Sequence, residues 1–212
     1  MKLLILFSLA LFVPGIFYGQ SFEGEIVYKM AFKSKIPNVS DVQLTAMMGD
    51  TNLYYIQGGN YKTVSNGKYL QWQVYINAVN KLYNKTSNSE SLVWMDAGVY
   101  NDSLVSVTLR PGAAQILGYT CDEITLTCKS SVQEYYYSSK IPEDSKIFEK
   151  HLFGSWYDFL SRAHALPLKM SYATKEFIME STAVTVQPGH LDPAIFQIPS
   201  DAKLTSAPKN DD

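Results

Sequence analysis

Residues that carry chemistry are scarce in this chain. It holds two cysteines and three histidines among 212 residues. His151, His164 and His190 are never three or four apart, and none lies near a cysteine. Metal sites legible in a sequence depend on such clustering. No metal is therefore expected, and each histidine reads as a surface or capping residue. No glycine-rich phosphate loop occurs, because Asn66-Gly67-Lys68 has the composition of a hairpin turn. A Gly-x-Ser-x-Gly elbow is also missing; Gly154-Ser155 leads into a helical pattern instead. Asp122 and Glu123 are neighbours on a strand, point to opposite faces and cannot share a proton. The sequence nominates no catalytic residue and implies no cofactor, and the expectation is a protein that is not an enzyme.

Charge is sparse as well. Only 18% of residues are charged and the net charge is −2. With no basic surplus to neutralise phosphates, nucleic acid is not an expected partner. There is a single long apolar run, from Leu3 to Val13, preceded by Lys2 and broken by Pro14-Gly15. A basic start, a short apolar stretch and a small residue at Gly19 have the form of a secretory signal peptide, assigned to residues 1–19. The run falls short of the ~20 apolar residues of a spanning helix. The expectation is a periplasmic or secreted protein with no transmembrane anchor after cleavage.

Apolar and aromatic residues are abundant: 46% of the chain is hydrophobic, with 15 tyrosines and 10 phenylalanines. That suffices for a core and favours pleated, half-buried surfaces. From Phe22 to Phe32 the even positions are apolar or small and most odd ones are charged. Period two over such a run specifies a strand with one buried face. Similar runs recur at intervals of ~8–12 residues, which indicates one antiparallel sheet or barrel. Residues 103–110 read as a strand ended by Pro111-Gly112. In 70–76, Leu70, Trp72, Val74 and Ile76 share one face. A short helix is expected from Ser40 to Gly49. A clearer one follows Ser155, with Asp158 three residues on in capping-box position and Trp156, Phe159, Leu160 and Ala163 on one stripe.

Both cysteines fall in one strand-like stretch, residues 116–131. Between Cys121 and Cys128 lie seven steps, roughly 23 Å if extended at ~3.3 Å each. A disulfide tolerates less than ~7 Å between Cα atoms. Their parity differs, and Asp122–Thr127 holds no glycine, proline or asparagine to turn the chain. Both thiols are expected to be free.

The same stretch carries a resemblance. Ile116-Leu117-Gly118-Tyr119, Cys121, and the pair Ile141-Pro142 resemble the central motif of an exported bacterial domain-of-unknown-function family, frequent in Bacteroidetes. Residues 165–172 and 190–201 resemble its later segments, with Ala165 where a glycine is common. That family is similar to the GLPGLI family, whose hexapeptide is absent here, and both look related to the LolA-like carriers of lipoproteins and lipids. The resemblance implies a mainly β fold: an antiparallel unclosed half-barrel with one or two helices packed in or over it. It divides the chain into the leader, one LolA-like domain over 20–202 and a flexible tail at 203–212.

Such a half-barrel is a concavity by construction. The expected function is binding of a hydrophobic or lipid-like ligand there. The residues nominated to line it are Tyr28, Met30, Tyr54, Ile56, Leu70, Trp72 and Val74 from strands, with Trp156 and Phe159 from the helix. The alternative is an envelope interaction or structural protein with a filled barrel, binding a partner protein through tyrosine-rich edges such as 134–139.

Overall fold

The computed structural model describes residues 21–208. The expected leader lies outside the described residues. Twelve strands and two helices follow in order: β1 (Gly24–Ser34), α1 (Asp41–Met48), β2 (Thr51–Gln57), β3 (Asn60–Ser65), β4 (Leu70–Ile76), β5 (Lys81–Thr86), β6 (Leu92–Asp96), β7 (Leu104–Ile116), β8 (Tyr119–Cys128), β9 (Val132–Pro142), α2 (Trp156–Ala163), β10 (Ala165–Ala173), β11 (Phe177–Pro188) and β12 (Leu204–Ser206). All strands belong to one sheet, ordered β12-β6-β5-β4-β3-β2-β1-β11-β10-β9-β8-β7. Two antiparallel meanders, β1–β6 and β7–β11, are joined where β1 pairs with β11. The sheet ends at β12 and β7 and does not close. It is an unclosed antiparallel half-barrel, the fold class the sequence pointed to. Neither helix is long and apolar enough to cross a membrane.

The half-barrel wraps around α2. Phe159 and Leu160 of that helix are fully buried and share one core with Ile26, Ile56, Leu82, Ile124, Leu126 and Leu168, drawn from strands all around the sheet. The period-two reading of β1 holds: Phe22, Ile26, Tyr28 and Phe32 are buried. At α1, Ser40 and Gln43 form the reciprocal capping box, and the N–H of Gly49 bonds the Thr45 carbonyl. The turn at Asn66-Gly67 packs against the end of that helix. A Cβ on Gly67 would sit 2.4 Å from the Met48 carbonyl carbon, which requires glycine there.

Four expectations are corrected. Pro111-Gly112 does not end β7; the strand continues to Ile116 through a bulge between Arg110 and Ala114. As an edge strand β7 tolerates a missing N–H, and Gly112, at φ 60°, bonds Asp122 Oδ1 at 2.8 Å. Ser155 does not cap α2. It adopts φ 55°, ψ 28° and turns its hydroxyl toward Cys128 Sγ at 3.7 Å. The tyrosines of 134–139 are not at an edge: β9 lies between β8 and β10, with Tyr135 and Tyr137 buried. Within the tail expected from 203, Leu204–Ser206 pairs in parallel with β6.

Before that pairing, the chain from Leu191 to Ile198 crosses the convex face of β3–β5. Leu191, Ile195, Phe196 and Ile198 cover Val74, Tyr83, Trp72 and Trp94 in a second, smaller core. Lys62 Nζ bonds the Ile195 carbonyl at 3.1 Å, and Gln57 Oε1 accepts from Leu191 N–H at 2.6 Å. The sheet is thus apolar on both sides here.

Candidate functional site

Helix α2 fills only the β8–β10 side of the concavity. Its Phe159 stacks on Tyr135 at 4.2 Å between centroids and meets Tyr137 edge-on. On the β1–β4 side a cavity of about 340 Å³ remains. Tyr28, Met30 and Phe32 of β1 form one wall; Asn52 and Tyr54 of β2, with Tyr61, Thr63 and Ser65 of β3, form the floor. Trp156, in the first turn of α2, reaches it from above, and Met170 and Met179 approach from β10 and β11. Methionines adapt their shape to what they touch, which suits a flexible apolar occupant.

An aromatic network underlies the floor. Tyr54 stacks on Tyr61 at 5.5 Å, and Tyr61 on Tyr75 at 5.2 Å. Tyr61 Oη lies 2.8 Å from His151 Nε2, and the indole of Trp156 packs 6.2 Å from the Tyr61 ring. Burial, with its neighbouring tyrosines, pushes the Tyr61 hydroxyl far above the ordinary range. Burial lowers the His151 imidazole to about 4, so it is neutral at neutral pH.

Three polar atoms in cavity-lining residues have no hydrogen-bond partner among the described residues: Asn52 Oδ1, Tyr54 Oη and Trp156 Nε1. Tyr28 differs, because its hydroxyl donates to the Pro167 carbonyl at 2.7 Å. Among the described residues no charged side chain lines the cavity. Buried polar groups without partners are uncommon and each is costly, so three around one apolar space single it out as the candidate site.

Of the nine nominated residues, Tyr28, Met30, Tyr54, Leu70, Trp72 and Trp156 line this cavity. Ile56 and Phe159 lie in the main core instead, at 1% and 0% exposure. Val74 is on the convex face under the 191–198 segment. Period two correctly groups Trp72 with Val74, but both faces of β4 are apolar, so the pattern does not say which is inside. Trp72 borders both the second core and the cavity, and the β4–β5 register shifts between it and Leu70. The sequence reading passed over Tyr61, Asn52 and His151. Tyr61 was within reach of the same parity argument, since it stands between the polar residues Asn60 and Lys62 on β3. His151 is the larger miss: it is 1% exposed, not at the surface. His164 and His190 are exposed. Among the described residues no group of three or more His, Cys, Asp or Glu could hold a metal ion.

Cys121 and Cys128 are both free and buried. Cys128 follows Ile124 and Leu126 on the concave face. Cys121 has the opposite parity yet is fully buried, because the β8–β9 ladder ends at Asp122 and the β7 bulge reshapes the sheet beside it. Burial pushes both thiols above their ordinary value. They are therefore expected to be inert to a thiol reagent in the folded protein and to titrate as two in denaturant without reductant. A native-state reaction of either, or fewer than two thiols after unfolding, would contradict this placement.

The candidate site is thus an uncharged cavity on one side of an open, mainly antiparallel half-barrel whose other side is filled by a helix. No protein-family model matches the chain and no curated protein matches it. Among solved structures it is similar to PNGF-II in two crystal forms, at 13% and 15% identity and TM-scores of 0.44 and 0.45. Those alignments cover 86% of this chain and 31% and 30% of the other, so the chain spans about a third of PNGF-II. It is also similar to LprF from Mycobacterium bovis, at 10% identity and a TM-score of 0.34, covering 80% of this chain and 89% of that one.

Proposed function

We propose that this protein is an exported, non-catalytic binding module that holds a small hydrophobic or lipid-like molecule in the concavity of its half-barrel. The observation that carries the reading is the cavity of about 340 Å³, lined by tyrosine, tryptophan, methionine and other uncharged side chains. Pockets that enclose small ligands have volumes of roughly 300–1,000 Å³ and mostly apolar walls with a few polar groups. Export rests on the leader-like pattern of residues 1–19, and it is the step that would place the module in the periplasm or outside the cell.

Native mass spectrometry of the protein exported by a bacterial host from its own leader tests both parts. The expected result is a chain shortened by the leader and carrying a non-covalent, lipid-sized adduct. An intact leader would refute export. A cleaved chain with no adduct, even after exposure to host lipid extract, would refute binding.

A further inference from the structure

We infer that the cavity selects ligands whose polar end is uncharged, such as a long-chain alcohol, ester or amide, over fatty acids and phospholipids. This rests on the proposed reading of the cavity as a ligand site and specifies what enters it.

The unpartnered atoms of its lining residues include both hydrogen-bonding polarities. Asn52 Oδ1 can only accept, Trp156 Nε1 can only donate, and Tyr54 Oη can do either. Asn52 and Tyr54 are two residues apart on β2, so they share a face at ~6.6 Å. Trp156 joins them through Tyr61, which stacks on Tyr54 at 5.5 Å and lies 6.2 Å from the indole. A hydroxyl needs one acceptor and one donor, and this trio offers both.

A charged head meets nothing to balance it. Among the described residues no lysine, arginine or histidine lines the cavity, and neither does an aspartate or glutamate. An ion taken from water into such a site without a counter-charge is strongly disfavoured. Burial, together with Tyr61, Tyr28 and the Glu143 carboxyl, holds the Tyr54 hydroxyl in its protonated form.

The test is displacement of pyrene, a hydrocarbon with no polar atom, from the wild-type protein at about pH 8. Competitors of equal chain length are dodecanol, dodecanoate and dodecyltrimethylammonium. Dodecanol is expected to displace pyrene at least tenfold more tightly than either ion, a difference of about 1.4 kcal/mol. Equal displacement by dodecanoate would overturn the inference and leave the binding module standing. No saturable binding of pyrene and none of dodecanol would overturn the module itself. A Tyr54→Phe variant guards against misreading solubility as selectivity. It is expected to lose affinity for dodecanol severalfold and to unfold at the same or a higher urea concentration, since it removes a buried hydroxyl that has no partner. Unchanged dodecanol affinity in that variant would also count against the assignment.

Discussion

Replacing Glu143 with glutamine is expected to reveal a steep loss of stability below about pH 6.5 that the native chain conceals. Two buried groups oppose each other there. Glu143 is 3% exposed, and burial, reinforced by Asp144 and Glu23, raises its carboxyl from 4.5 to about 7. His151 is 1% exposed, and burial lowers its imidazole from 6.5 to about 4. For Glu143 the folded chain keeps its proton after the unfolded chain has lost it. Its contribution is complete below pH 4.5 and is lost as pH rises through about 7. For His151 the unfolded chain takes up a proton that the folded chain refuses. Its contribution is complete above 6.5 and is lost as pH falls through about 4. Each spans about 2–3 pH units, or roughly 3 kcal/mol, and between 4.5 and 6.5 their slopes cancel.

Urea unfolding across pH 4.5 to 8 separates the two. Glu143→Gln leaves the imidazole unopposed, so stability falls with acid. His151→Gln, which retains a side chain able to bond Tyr61, leaves the carboxyl unopposed, so stability falls as pH rises toward 7. A Glu143→Gln protein whose stability is flat with pH would contradict the burial assigned to His151.

Phe159→Ala is expected to cost about 3–5 kcal/mol in the same assay, whereas Leu70→Ala costs less than about 1 kcal/mol. The sequence nominated both as cavity residues. Phe159 is fully buried, with Tyr135 stacked on one side and Trp156 5.7 Å away, so truncation opens a void that rigid neighbours cannot refill. Leu70 is only half-buried, lines the cavity and belongs to neither core. Binding is expected to respond in the opposite order at conditions where both variants are folded: Leu70→Ala weakens pyrene binding, and Phe159→Ala, where folded, leaves the β1–β4 wall in place. Equal stability losses would mean that the helix does not fill its half of the barrel.

Those two residues also mark how far the sequence can be read. The period-two runs, the Ser40 capping box and the Asn66-Gly67 turn are local devices, and local spacing suffices to place them. The half-barrel with a helix in its concavity was legible from strand spacing and from the motifs around Gly118 and Pro142. Which side of the sheet a residue faces is a tertiary fact. Val74 and Trp72 alternate as read, yet the 191–198 segment returns over the convex face and makes that side apolar too. Phe159 and Trp156 share the helical stripe, but a helix of eight residues buries its middle and leaves its first turn at the cavity. His151 gave no signal at all, because its partner Tyr61 lies 90 positions away. The Leu117-Gly118 pair was read only as a family marker; both residues have positive φ, and they form the two-residue turn that joins β7 to β8.

The central claim is that the space under Trp156 is a ligand site and not a packing fault. Thr63, on the floor between Tyr54 and Gln73, offers the most direct measurement, pyrene titration of the wild-type protein against Thr63→Phe. Thr63 itself belongs to neither core, and the added ring would fill the cavity beside Tyr54 and Tyr61. The account predicts saturable, one-to-one binding by the wild type and none by the variant, with the two unfolding at closely similar urea concentrations. Pyrene binding that is equal in both proteins, or absent from the wild type, would contradict it.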